Sequence, residues 1–228
     1  MKESLEQFVD DYIESVLAVI DALHTGDAVD HISLHESLAG RIEAARQSHH
    51  HDGDWEAAIY ALVALTDELM LEMPWSGRIW WNDHVLEASV FGSRVCSERF
   101  YQLAAEASRD SSSHGRVTSG QVSGGPSGGV LRVFYDCVLL GFRGVYSVPG
   151  LSASTTNALG IPPTIEDWLA RTQHYLADDS TAGEPARQHR QLSGASPNAL
   201  RRNIVWWTVA AGVMLIANIA VFSLTRHS

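Results

Sequence analysis

Two groups of residues have the types and spacing that chemistry requires. His49, His50 and His51 stand beside Asp52 and Asp54, and His31 and His35 lie one helical turn apart; imidazoles and carboxylates so placed are ordinary zinc ligands. Three adjacent histidines in an interhelical connection cannot all turn to one ion without strain, HISLHE lacks the HExxH order of a zincin, and no second ligand pair has structural-site spacing. The histidines therefore read as solvated loop and helix surface, and no metal is expected. Asp67 and Glu68 form the second group, at the close of the apolar run in ALVALTDELMLEMPW. With about 100° between neighbours, Glu68 falls nearly opposite the face of Ile59, Leu62, Thr66 and Met73, and Asp67 lies at its flank. Three readings are open: a catalytic pair, two carboxylates on a solvated edge, or an acidic recognition spot on an otherwise packed helix. Divergence of the two side chains counts against the first. Serine elbows, P-loops and dinucleotide glycine patterns are absent, because the glycines of SGGPSGG follow no strand and lack the P-loop lysine. No catalytic residue and no cofactor is expected.

The elements that must position these residues read as helices. Leu5, Phe8, Val9, Tyr12, Ile13, Val16, Leu17, Ile20 and Leu23 repeat at three-and-four spacing over residues 4–24, with Gly26 as a stop. A weaker pattern runs from Asp27, as N-cap, through Val29, Ile32, Leu38 and Ile42 to Ser48. A third helix spans Asp54 to Met73, ends at Pro74, and is apolar on every side from Ala58 to Leu65 apart from the Tyr60 hydroxyl, so other helices must surround it. Shorter helices are predicted at 80–91, 95–107, 130–140 and 164–176, and no period-two run of β-branched residues occurs. The fold class is all-α.

Two Ser-, Gly- and Pro-rich stretches interrupt the pattern, a flexible insertion at 109–129 and a linker over 178–203. Beyond them Ile204–Leu224 reads IVWWTVAAGVMLIANIAVFSL, uncharged over 21 residues, which as a helix spans roughly 31 Å, the thickness of a bilayer core. Gly212 and Asn218, a small residue and a hydrogen-bonding one, are its candidate span–span contacts. Arg201 and Arg202 before the span, against Arg226 after it, place the N-terminal body in the cytoplasm and residues 225–228 in the periplasm, with the inner membrane as location. The N-terminus has no apolar h-region, so no cleaved signal peptide is expected. The formal net charge is −11, and residues 1–200 hold 13 basic against 27 acidic groups, a net −14 that repels phosphate backbones and excludes nucleic acid as partner. Cys96 and Cys137 lack CxxC spacing, which fits a reducing compartment.

Trp75, Trp80 and Trp81 after Pro74 offer large apolar surfaces with one donor each, and Gly141 and Gly144 bracket Phe142 where a chain reversal could be closed by Tyr146. In order, Asp67-Glu68, Pro74-Trp75, Trp80-Trp81, Phe100-Tyr101 and Gly141-Phe142-Arg143-Gly144-Val145-Tyr146 resemble the motifs of the DotU/IcmH/TssL family of type VI and type IVB secretion systems, over residues 5–176 plus the tail anchor. The resemblance implies a hook of two packed helical bundles with a cleft over residues 1–177. It implies no enzymatic activity, and a type VI scaffold that binds an IcmF/TssM-type inner-membrane protein and cytoplasmic baseplate subunits and self-associates. It also implies that Asp67 and Glu68 line the cleft as partner-binding residues, so that reversing both charges would abolish partner capture while leaving the helices intact. The insertion at 109–129, and the lack of a glycine pair before Phe100-Tyr101, depart from the family pattern. The alternatives are a type IVB subunit, a generic tail-anchored adaptor and a membrane-tethered metal-dependent hydrolase using the histidines with Asp67.

Overall fold

The computed structural model describes residues 4–50, 52–114, 128–148 and 153–182. Among them the chain forms helices α1 (Leu5–Thr25), α2 (His31–Ser48), α3 (Gly53–Glu72), α4 (Arg78–Asp83), α5 (Leu86–Phe91), α6 (Cys96–His114), α7 (Gly128–Leu139), α8 (Ala153–Leu159) and α9 (Ile165–Ala182), with a 3-10 turn at Gly144–Ser147 before α8 and no strand. The first three begin on side-chain caps, which satisfy amides that the first helical turn leaves without partners. Ser4 accepts from the Gln7 amide, Asp30 from that of Ser33 and Asp52 from that of Asp54. The cap of α2 is thus Asp30 and not Asp27, whose own amide instead returns to the Ala22 carbonyl to close the end of α1.

Helix α3 is the axis of the fold. Every residue from Ala57 to Asp67 is buried, because α1, α2, α4, α5, α6 and α7 all pack on it. Packing of α7 against α6 and α9 extends the same core, and the buried apolar side chains of the described residues form one cluster from Phe8 to Trp168. The described residues accordingly belong to one compact unit.

Several boundaries differ from those the periodicity predicts. The helix expected over 80–91 is broken at His84 and Val85 into α4 and α5. Helix α6 runs on to His114 and α9 to Ala182, into stretches whose Ser and Gly content reads as unstructured, and α8 carries no periodic signal at all. No helix of the described residues is long and apolar enough to cross a membrane. The uncharged segment 204–224 with Gly212 and Asn218, the linker from 183 to 203, the tail at 225–228 and residues 115–127 of the insertion lie outside the described residues.

Candidate functional site

Asp67 and Glu68 point to different elements, as their angular separation on α3 requires, and both carboxylates accept backbone amides. Asp67 is 2% exposed. Its Oδ1 accepts the Trp81 indole N–H at 2.9 Å and the Leu86 amide at 2.8 Å, and its Oδ2 accepts the Glu87 amide at 2.9 Å. Leu86 and Glu87 open α5, whose N-cap Val85 has no side chain able to cap it. A carboxylate from α3 therefore does the capping, and this is why α4 and α5 are two helices: the amides of Leu86 and Glu87 turn to Asp67. Glu68, half-buried, reaches the other way. Its Oε1 accepts the Arg143 amide at 2.7 Å and its Oε2 the Gly144 amide at 2.9 Å, at the start of the 3-10 turn. Gly144 has φ +51°, and a Cβ there would sit 2.9 Å from the Phe142 ring and 3.0 Å from the Ser97 carbonyl, so only glycine presents this amide to Glu68.

A third carboxylate, not singled out in the sequence, completes the set. Glu87 is 1% exposed. It accepts the Tyr60 hydroxyl at 2.7 Å, the Ser93 hydroxyl at 2.8 Å, the Val95 amide at 2.9 Å and the Cys96 amide at 3.0 Å. Val95 and Cys96 stand at the N-terminus of α6, where a negative charge also meets the positive end of the helix dipole. Asp67 thus caps α5, Glu87 within α5 caps α6, and Glu68 fixes the turn after α7. A signal for Glu87 was present: it falls on the same helical side as Val90 and Phe91, where an acid without a partner would be costly.

No cation lies within ion-pair distance of Asp67 or Glu87 among the described residues, so N–H and O–H dipoles hold these charges. Burial raises the Asp67 carboxyl to about 6 against the pull of its three donors, with the nearby Glu87 charge adding to the rise. Burial also acts upward on Glu87, but its four donors outweigh it and the net direction is down. Glu68 is shifted upward, chiefly by burial, with the Gly144 and Arg143 amides opposing. Burial and then Glu87 push the Cys96 thiol up to about 12, although a helix N-terminus ordinarily favours a thiolate. Fully buried Cys137 is raised as well by burial.

The remaining sequence motifs meet on this framework. Trp81 is fully buried on Asp67; half-buried Trp75 donates its indole N–H to the Met70 carbonyl at 2.9 Å and packs 6.1 Å from Trp81, while Pro74 is exposed beyond the end of α3. The backbone at Gly77 passes so close that a Cβ would lie 2.4 Å from the Trp75 ring and 2.6 Å from His31 Cβ. Phe142 packs 4.0 Å from the Phe100 ring, Tyr101 donates to the Arg143 carbonyl at 2.9 Å, and Tyr146 meets Tyr101 edge-on and donates to the Pro162 carbonyl at 2.8 Å. Gly141, at φ +128°, lies over the Leu69 side chain.

His31, His35 and His49 are less solvated than the sequence suggests, whereas His50 is exposed as expected and His51 lies outside the described residues. His35 is buried, edge-on to Trp80 and Trp81, because α2 lies across α5 and Ser89 reaches its ring nitrogen at 3.3 Å. Trp80 is half-buried, tilted against His31 and stacked on exposed His84, and His49 stacks on Trp55 at 3.6 Å. Among the described residues no three His, Cys, Asp or Glu groups could hold a metal ion.

The sequence profile described as "Type VI secretion system protein DotU" matches residues 7–228. The chain belongs to the DotU family. This DotU protein is therefore a type VI secretion component, of a family that is associated with the inner membrane and has a cytoplasmic domain. Its fold is similar to a solved structure, "Cytoplasmic domain of TssL from Acinetobacter baumannii", at TM-score 0.51 and 20% identity, over 75% of this chain and 98% of that one. No curated protein matches it significantly.

Proposed function

We propose that the chain is a non-enzymatic, tail-anchored scaffold subunit that joins an IcmF/TssM-type inner-membrane protein to cytoplasmic baseplate subunits. The observation that carries this reading is the DotU match over residues 7–228, which runs through the uncharged segment 204–224. In this reading 204–224 crosses the inner membrane once, Gly212 and Asn218 contact neighbouring spans, copies self-associate, and the body remains cytoplasmic. Confinement to the membrane lets weak contacts of span and body add as avidity.

Asp67 and Glu68 serve partner binding by shaping the body. With the hydrogen bonds of the pair going to the chain's own amides and the Trp81 indole, they fix the α4–α5 and 143–144 connections, and a hook with a cleft would depend on where those connections run. Among the described residues neither carboxylate is hydrogen-bonded to a histidine and no three groups could hold a metal ion, which counts against a role in hydrolysis.

Membrane fractionation combined with co-purification tests the proposal. The full-length chain is expected to stay in the membrane pellet after an alkaline wash and to bring down the IcmF/TssM-type protein. Removal of residues 204–228 should release the body and lose that partner. Full-length chain recovered from cytosol without detergent would contradict the reading.

A further inference from the structure

Helix α2 is anchored unevenly along its length. Its rear half is pinned by arginines: Arg41 donates to the Ser15 hydroxyl at 2.7 Å and lies over the Tyr12 ring, while Arg46 pairs with Glu56 at 3.2 Å and donates to the Val90 carbonyl at 2.9 Å. Ile42 and Ala45 are buried in the same half. Among the described residues no ion pair ties down the front half, residues 31–39. Its buried side chains are His35 and Leu38, and His31 leans on the Trp80 ring. Gly40 joins the two halves. A Cβ there would meet nothing within 4 Å, so packing does not require glycine, and glycine inside a helix is a poorer helix former than alanine. A weak point in α2 thus falls where its firm anchors end.

The front half is closed by a titratable ring. His35 is 9% exposed, edge-on to Trp80 at 5.5 Å and to Trp81 at 5.3 Å, with the Ser89 hydroxyl 3.3 Å from its Nε2. No carboxylate lies within ion-pair distance of it among the described residues. Of the charged groups around it, Glu36 on α2 favours the proton and His84 after α4 opposes it. Glu87 on α5 and Asp67 on α3 accept donors of their own, and Arg78 and Asp83 on α4 are exposed. Asp30, held below the ordinary carboxylate value by Ser33, keeps its charge and its cap on α2 as the ring titrates. Burial dominates and holds the imidazole below its ordinary value of 6.5, against the pull of the His84 backbone. Once lifted into water, the ring takes up a proton that the closed form excludes. Its contribution to closure is therefore full above about pH 6.5 and weakens as pH falls through that value.

We propose that residues 31–39 form an acid-released latch over the α4–α5 connection, hinged at Gly40 and closed by the neutral ring of His35. Acid lifts the front of α2 from Trp80 and Trp81 and uncovers the indole that donates to Asp67. Asp67 gains its proton as pH falls through about 6 and strengthens the body, so the latch opens on a core that acid is making firmer. The inference stands on α2 and its neighbours alone and does not rest on the scaffold reading.

Amide hydrogen exchange of the full-length chain in nanodiscs of zwitterionic lipid, compared at about pH 7.5 and about pH 5.5 and corrected for the intrinsic effect of pH, tests it. A detached segment this short cannot keep its helix, so opening frees its amides. Protection of residues 35–39 should fall severalfold at the lower pH, with about tenfold as the ceiling for one pH unit below the ordinary histidine value. Residues 45–48, bonded within the rear half, and α3 should hold theirs. His35→Gln, which keeps a partner for Ser89, should lose the difference between the two pH values. Gly40→Ala should raise protection of residues 35–39 by about fivefold at both. Unchanged protection of residues 35–39 in the native chain, an equal loss in residues 45–48, or a pH difference that survives in His35→Gln would overturn the inference. So would a Gly40→Ala variant whose front half opens as before.

Discussion

Replacing Asp67 with alanine is expected to lower the stability of the folded body by about 3–5 kcal/mol, the cost of leaving buried donors without an acceptor. Three lose theirs at once, the Trp81 indole N–H and the amides of Leu86 and Glu87. For a body of this size the midpoint of thermal unfolding should fall by about 10 °C, readable by circular dichroism of the full-length protein in mild detergent. The double charge reversal of Asp67 and Glu68 should likewise unfold or loosen the body, contrary to the expectation from the sequence that the helices would be indifferent. The pH dependence has a definite sign. Because the folded carboxyl titrates at about 6 against 3.8 when unfolded, the folded chain holds a proton that the unfolded chain has lost between about pH 4 and 6. Stability from this group is present at pH 4 and declines as pH rises through 6. Asp67→Asn removes that titration, so the variant should be costlier at pH 4 than at pH 7 by about 2 kcal/mol, measured by urea unfolding at the two values. A cost independent of pH would show that Asp67 is not so perturbed.

Glu87→Gln should cost a comparable amount, about 3 kcal/mol, because an amide cannot accept from all four of the Tyr60, Ser93, Val95 and Cys96 donors and brings two N–H groups of its own. Its pH signature is opposite to that of Asp67: the folded carboxyl is lowered, so its contribution is present above its unfolded value and is lost as pH falls through the folded one. A second readout separates this capping role from loss of packing. Without the carboxylate, the Cys96 thiol, raised to about 12 by burial first and Glu87 second, should come down, while burial still holds it above the ordinary range. Alkylation of Cys96 at pH 8 should then quicken while buried Cys137 stays inert. Equal reactivity of Cys96 in both proteins would mean that Glu87 does not hold that helix end.

Where a single helix buries a continuous surface, the sequence was enough. The apolar stripe of α1, the all-round apolarity of α3 and the stop at Pro74 each follow from local residues, and the structure has the same elements within a residue or two. Divergence of Asp67 and Glu68 was also legible, since it depends only on helix geometry. What each carboxylate accepts was not, because the donors lie 14 to 20 residues away for Asp67 and 75 or 76 for Glu68. The break between α4 and α5 was hidden for the same reason. Nothing in WNDHVLEAS forbids a continuous helix, and it is the acid on α3 that draws two amides out of line. His35 read as surface because α2 has little amphipathic pattern of its own; its burial comes from Trp80 and Trp81 on a later element.

Amide hydrogen exchange of the full-length protein tests the framework most directly. The amides of Leu86, Glu87, Val95, Cys96, Arg143 and Gly144 lie at helix or turn starts, positions that usually exchange quickly for want of an acceptor. Bonded to Asp67, Glu87 and Glu68, they are expected to be protected by roughly a thousandfold or more, and Asp67→Ala should release the first two selectively or with the whole body. Rapid exchange at these six amides in the native protein would contradict the assignment of the acidic residues to architecture.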